Sequence, residues 1–108
     1  MKLIHAIAQN DDSKKLIREL TNRRISVTRI SSTGGFLHNG NSTLMIGVEP
    51  DRLEETLDII KEKSSTRKEY MVVPSAVPGY IDNSPAPVQV TMGGATVFVV
   101  DVEQFYKY

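Results

Sequence analysis

ISVTRISSTGGFLHNGNSTLMIGVE, residues 25–49, decides the fold. Its first part alternates, with Ile25, Val27 and Arg29 on one face and Ser26, Thr28 and Ile30 on the other, which is the period of a β-strand. Its last part alternates too: Leu44, Ile46 and Val48 fall on one side, Thr43, Met45 and Gly47 on the other. Two strands are therefore expected over residues 25–32 and 42–49, joined by the Gly-rich loop 33–41. That loop holds the residue types of a nucleotide pocket. Gly34 and Gly35 can turn backbone N–H groups towards an anion. Phe36 can lie flat on a base, and Asn41 offers both a donor and an acceptor to a base edge. The hydroxyls of Thr28, Ser32 and Thr33 approach from the end of the first strand. A plain hairpin connection with a core Phe would use the same residues, so both readings stand on spacing alone.

Upstream, Leu3–Ala8 is short and apolar on both faces, as a buried strand is. Asp11, Asp12 and Ser13 then supply helix-capping chemistry. Leu16, Ile17 and Leu20 follow at helical spacing and predict a helix over about Ser13–Arg23. Downstream, Pro50 and Asp51 open a second helix, for Pro suits a first turn. Leu53, Leu57 and Ile60 make its apolar stripe, so it is expected over Asp51–Lys63. Lys68–Val73 reads as a short strand. Residues 74–87 carry Pro74, Pro78, Gly79, Pro85 and Pro87 and read as a long irregular loop. Val88–Val100 is strand-forming, with Gly93-Gly94 as a hairpin turn or bulge. Val102–Tyr108 is expected to be a short turn of helix. The order is β-α-β-β-α-β. That is an α+β, ferredoxin-like arrangement in a single domain over residues 1–108, with an extended loop before the last strands. Two helices would cover one sheet face. Ile25, Val27 and Met45 are assigned to the other face, which self-association would then cover.

Composition narrows the function. Thirteen basic and thirteen acidic residues leave no net charge, so a general polyanion binder is not expected. There are no cysteines, which excludes disulfides and Cys-ligated metals. His5 and His38 alone do not make a metal centre. No Ser-His-Asp set suggests itself, and no phosphate loop of the GxxxxGK[ST] type occurs. His5 reads as a satisfied core histidine, and Glu54-Glu55 as a solvated helix face. No catalytic residue and no metal ligand are assigned. No signal peptide or membrane span is evident, so a cytoplasmic location is expected.

Thr28-Arg29-Ile30-Ser31-Ser32-Thr33-Gly34-Gly35-Phe36-Leu37, followed by Gly40-Asn41-Ser42-Thr43, resembles the signature of the PII-like cyclic-di-AMP receptor proteins of Gram-positive bacteria. Gly93-Gly94-Ala95-Thr96-Val97-Phe98-Val99 is similar to their second signature. The resemblance spans the whole chain. It implies a homotrimer of ferredoxin-like subunits with ligand clefts between neighbours, cyclic-di-AMP as ligand, no cofactor, no catalysis, and a downstream protein partner. It further implies that Thr28, Gly35, Phe36, Leu37, Asn41 and Gly47 contact the ligand, with Gly94 and Phe98 more peripheral. Where the family carries an Arg this chain has Ser26. Arg24 lies two residues away on the same face and is expected to make up the phosphate contact. His38 stands at the family's basic position after Phe-Leu and is a second candidate for that contact. Lys107 replaces a common Gln. The competing reading is a PII-type sensor of ATP or ADP, or a divergent member that has lost cyclic-di-AMP.

Overall fold

The computed structural model describes residues 1–30, 40–73 and 86–108. In chain order they form β1 (Lys2–Gln9), α1 (Asn10–Asn22), β2 (Val27–Ile30), β3 (Asn41–Val48), a 3-10 turn (Pro50–Arg52), α2 (Leu53–Ser64), β4 (Arg67–Val73), β5 (Ala86–Met92) and β6 (Ala95–Asp101). Four strands make one antiparallel sheet in the order β2-β3-β1-β6. The chain is thus α+β, with helices and antiparallel sheets compatible with a ferredoxin-like, PII-like fold.

Strand pleating assigns every side chain of this sheet to a face. In β1, Ile4 pairs with Ile46 and Val99, and Ala6 pairs with Leu44 and Val97. These residues face the helices. Ile4, Ala6, Leu44, Ile46, Leu16 and Leu20 are fully buried there and form the centre of the core. The other face carries Leu3, His5 and Ile7 of β1, Met45 and Gly47 of β3, Thr28 and Ile30 of β2, and Phe98 and Val100 of β6. No described helix covers it. Ile25 and Val27 do not belong to this open face, contrary to expectation. Ile25 is buried in the core, and Val27 pairs with Ile46 and packs against the same cluster. Only Met45 of the three expected residues lies on the open side.

α1 starts three residues before its expected start. Its N-cap is Gln9 and makes no side-chain cap bond. Asp11 and Asp12 instead occupy the first turn, where negative charge favours the helix dipole. Ser13 is buried and donates to the Ala8 carbonyl at 3.4 Å, an apolar-side use of a residue expected to cap. The helix closes with paired backbone bonds, Arg24 N–H to Thr21 O (3.0 Å) and Ile25 N–H to Leu20 O (2.8 Å). That is the Schellman pattern, and it places Arg24 in the left-handed region at φ 59°. The second helix is preceded by the 3-10 turn. Its buried residues are Thr56, Ile59, Ile60 and Ser64, while Leu53 and Leu57 are half-buried. The i, i+4, i+7 stripe thus found the right side of the helix but missed Ile59 and Thr56. Thr56 is accommodated because its hydroxyl donates to the Arg52 carbonyl at 2.8 Å.

The largest departure concerns residues 67–101. β4 and β5 pair only with each other, from Arg67 opposite Met92 to Val73 opposite Ala86, and form a separate two-stranded ribbon. β6 leaves that ribbon and joins β1. Gly93-Gly94 is therefore neither a hairpin turn nor a bulge. It is a corner at which the chain changes sheets, with φ of 82° and 94°. At Gly93 a Cβ would lie 2.6 Å from the Ser65 carbonyl oxygen, so glycine is demanded twice over. Ala86 and Pro87, expected in the irregular loop, belong to β5. The tail 102–108 contains no helix; Tyr106 and Tyr108 stack at 6.1 Å there. The helix expected for it lacks an apolar face to bury, since residues 103–108 are all exposed.

One ion pair anchors the ribbon. Asp12 is fully buried and takes both terminal nitrogens of Arg67, at 2.9 and 3.2 Å. The Arg67 guanidinium also donates to Glu69 at 2.8 Å. These bonds, to Asp12 foremost, hold Arg67 charged well above the ordinary arginine range. Bidentate geometry is the strong form of such contacts.

Candidate functional site

The open sheet face carries two grooves. The first, about 490 Å³, lies over the β1–β3–β2 side and is lined by Leu3, Ser26, Thr28, Met45 and Gly47, with Phe105 of the tail closing one side. Register explains the grouping: Thr28 stands opposite Met45, and Leu3 opposite Gly47. Apolar side chains make its walls and the two hydroxyls its polar points. Gly47 is informative. A Cβ there would meet Met1 Sδ at 3.8 Å, an ordinary contact, and its φ is not left-handed. The protein's own packing does not require glycine at 47, so the room it leaves belongs to the groove.

The second groove, about 380 Å³, lies at the other end of β3. Asn41, Gln9, Gly93, Gly94 and Thr96 line it. Asn41 stands opposite Gln9 across the β1–β3 ladder. Gln9 is fixed in turn, because its Oε1 accepts the Gly93 N–H at 2.9 Å. Close by, the Asn10 N–H donates to the Gly40 carbonyl at 2.6 Å, which ties the start of α1 to the start of β3. The amide of Asn41 and the glycine corner therefore share one recess. Asn41 and Gly47 are six residues apart on one strand, roughly 20 Å at the rise of an antiparallel strand.

Of the expected ligand residues, the structure brings Thr28 and Gly47 together in one groove and Asn41 and Gly94 together in the other. Phe98 lies on the same open face, opposite His5, and is half exposed. Gly35, Phe36, Leu37 and His38 lie outside the described residues. A further crevice of about 310 Å³ sits on the helix-covered side between α2 and β6. It is lined by Leu57, Ile60 and Val97 and includes only Gly94 of the expected set.

A third, smaller recess of about 200 Å³ continues the first groove, sharing Met1, Ser26 and Gly47 with it. Arg24, Glu49 and Arg52 line its far end. Three arginines crowd this corner, and two are engaged. Arg23 donates to Glu19 at 2.9 Å and to Glu55 at 3.5 Å. Arg52 donates to Glu55 at 3.2 Å and to the Arg23 carbonyl at 2.9 Å. The Arg52 hydrogen bond, ahead of the opposing effect of burial, holds the Glu55 carboxyl below the usual carboxylate range.

Sequence reasoning did not find Gln9 or Phe105, nor the state of His5. Gln9 is the polar end of the alternation Leu3-His5-Ile7-Gln9, a signal present but unread. Phe105 follows no periodic element and gives none. His5 is not the satisfied core histidine expected. It sits half-buried in the middle of the open face, and its buried Nε2 has no hydrogen-bond partner among the described residues. Such groups are uncommon in finished surfaces.

No group of three or more His, Cys, Asp or Glu residues among the described residues is arranged to hold a metal ion. No described helix is long and apolar enough to cross a membrane. Among solved structures, the chain is similar to a functionally unknown protein from Pediococcus pentosaceus ATCC 25745. The two share 41% identity over 99% of this chain and 96% of that one, at a TM-score of 0.80. Residues 1–108 also match, without a gap at either end, the profile of a family of ligand receptors described as cyclic-di-AMP receptor. With both signatures in place and its full length matched, the chain belongs to the cyclic-di-AMP receptor family.

Proposed function

We propose that this chain binds cyclic-di-AMP in clefts between the subunits of a homotrimer and relays occupancy to a downstream protein, without chemistry on the ligand. The observation that carries this reading is the pair of grooves on one open face, in a chain matched along its whole length by a receptor family. The fold reading is a ferredoxin-like βαββαβ core with the β4–β5 ribbon inserted before its last strand. In the first groove Thr28 supplies a hydroxyl and Gly47 the room for a ring. In the second, Asn41 reads a base edge, with Gly94 permitting close approach and Phe98 at the periphery. Gly35, Phe36 and Leu37 complete the adenine contacts, and His38 stands near a phosphate.

The half-sites are too far apart along β3 for one small ligand to span comfortably, and a neighbouring copy supplies the missing half. The open face supports this. Ile30, Phe98 and Val100 are exposed on it, and an apolar patch of this kind marks a contact surface. Among the described residues, no side chain lining the first groove titrates, which suits a receptor better than an acid–base catalyst. The cytoplasm is the compartment this reading assumes.

Ser26 in the first groove is the observation that favours a second reading, a sensor of ATP or ADP or a member that has lost cyclic-di-AMP. Calorimetry with cyclic-di-AMP, ATP and ADP separates them, with sedimentation to count subunits. Tight binding of cyclic-di-AMP alone, on a trimer, is the expected result. Preference for a mononucleotide, or cyclic-di-AMP binding only after Ser26→Arg, would replace the first reading by the second.

A further inference from the structure

We propose that His5 is a pH-sensitive contact on the face through which copies of this chain associate: its neutral imidazole helps hold the copies together, and protonation loosens them. The inference rests on the self-association reading above and adds to it a regulation that the reading does not require. Three observations meet at this residue.

The first is a polar atom out of place. Leu3 and Ile7 flank His5 on its own face of β1, Met45 stands opposite it on β3, and Phe98 stands opposite it on β6. The residue is half-buried, and its Nε2 is shut from solvent with no hydrogen-bond partner among the described residues. A buried polar atom left in that state is costly, and a finished structure gives it a partner. No described residue of the subunit supplies one.

The second is the absence of charge around it. On this side of the sheet β2 adds Thr28 and Ile30, β3 adds Thr43, and β6 adds Thr96 and Val100. None of these side chains is charged, nor is Phe105 of the tail. The Lys2–Asp101 pair falls on the parity of the helix-covered face, and the Met1 amino group meets Glu49 at the end of the sheet. No described carboxylate on this face therefore stands ready for an imidazolium.

The third is position. His5 lies midway along β1, between β3 and β6, so it occupies the middle of the open face. A face shared by copies about a symmetry axis brings its middle towards its own counterpart. The occupant is a second copy of this chain. Zero net charge does not oppose that contact, and exposed Ile30, Phe98 and Val100 extend the apolar surface around His5. A neutral imidazole both donates and accepts, so rings on neighbouring copies can satisfy one another. Two imidazolium rings cannot, because every nitrogen then donates and both rings carry charge in an apolar surround. A separated subunit leaves the ring beside water, where it takes up its proton. The associated form thus binds fewer protons, and acid favours separation.

Sedimentation of the ligand-free protein over a dilution series reads this directly, with urea added where dilution alone does not reach dissociation. It is run at about pH 7.5 and about pH 5.5, one unit either side of the ordinary histidine value. Each histidine that must shed its proton on association weakens it roughly tenfold across that interval. His5→Leu replaces the orphan nitrogen by an apolar group and keeps His38 as an internal control. It should associate at least as tightly as the unmodified protein and lose the pH response. His5→Lys, charged at both pH values, should be dissociated at both, with circular dichroism reporting that its fold is kept. If His5→Lys does not fold, His5→Leu still decides. If the unmodified protein associates equally at both pH values, or His5→Leu keeps the response, the inference is wrong and the receptor reading survives. A protein that stays a single subunit at neutral pH overturns the inference too; if it also binds no cyclic-di-AMP in calorimetry, the receptor reading falls with it.

Discussion

The two faces of the four-stranded sheet are built from the same strands by strict alternation, and they differ in finish. On the covered face Ile4, Ala6, Leu44 and Ile46 are shut away completely beneath α1 and α2. Apolar residues there are continuous, and the polar ones that intrude are hydrogen-bonded, as Ser42 is by Arg29. One step along each strand lies the other face, with a glycine mid-strand, a histidine nitrogen without a partner among the described residues, and half-exposed Phe98 and Val100. A face that only needed solvating would carry charges. One that only needed burying would carry no Gly47 or Asn41. Its mixture of apolar walls and isolated polar points is what a ligand and a second protein surface jointly require.

This contrast can be broken most directly on β3. Leu44 and Met45 are neighbours pointing opposite ways. Leu44→Ala should cost about 2–5 kcal/mol in urea unfolding, the range for emptying a fully buried leucine site. Met45→Ala should cost no more than about 1 kcal/mol in a dissociated subunit, while weakening self-association and ligand binding. Equal losses of subunit stability would mean that the open face is merely a second core. The next effect in size concerns the corner between the sheets. Gly93→Ala should cost about 1–3 kcal/mol from backbone conformation alone, with the clash against the Ser65 carbonyl adding to it. Loss of amide protection in β6, read by hydrogen exchange, is the expected signature. A fully protected β6 in Gly93→Ala would show that the corner does not hold the sheet edge.

The smallest effect is electrostatic and belongs to the covered side. Glu55 is held below its usual value by Arg52 first, then by Arg23. A carboxylate depressed in the folded state stabilises fully above its unfolded value, and that stability is lost as pH falls through the folded one. The advantage of unmodified protein over Glu55→Gln should therefore be present at neutral pH and fade below about pH 4. Arg52 and Glu55 each keep about a third of their side-chain surface in solvent, so the gap should be small and salt-sensitive. An advantage that persists unchanged into acid would assign it to packing instead.

The covered face was legible in the sequence because burial imposes periodicity. Leu44, Ile46 and Val48 announce one side of a strand, and Leu16 and Leu20 one side of a helix. The boundaries were less legible. α1 begins at Asn10 because Gln9 caps it without using its side chain, so the capping residues Asp11–Ser13 misled by three positions. Alternation does not reveal the face of Ile25, because its burial follows from the Schellman turn and not from strand pleating. The ribbon was illegible for a different reason. Val88–Val100 reads as one strand-forming stretch, and nothing local says that β5 and β6 take partners in different sheets. Of the site, Thr28, Asn41 and Gly47 are legible through the family signature. Their division between two grooves depends on the spacing along β3; Gln9 is legible as the end of the alternation Leu3-His5-Ile7-Gln9, and Phe105 enters only through tertiary proximity.

The pairing of β1 with β6 sets the order in which this molecule can be finished. β1 is the central strand, yet one of its two neighbours is the strand formed by residues 95–101, with Lys2 opposite Asp101. A chain emerging from the ribosome can form the β1–β3 ladder once residue 48 is clear, while the other edge of β1 stays open until residues 95–101 have been made. The described topology is thus one of high contact order, and closure waits on the most distant partner. During that interval the open edge of β1 presents the unpaired backbone N–H and C=O groups that β6 later takes up. An edge left unpaired in this way is a template for pairing with another chain until β6 takes its place.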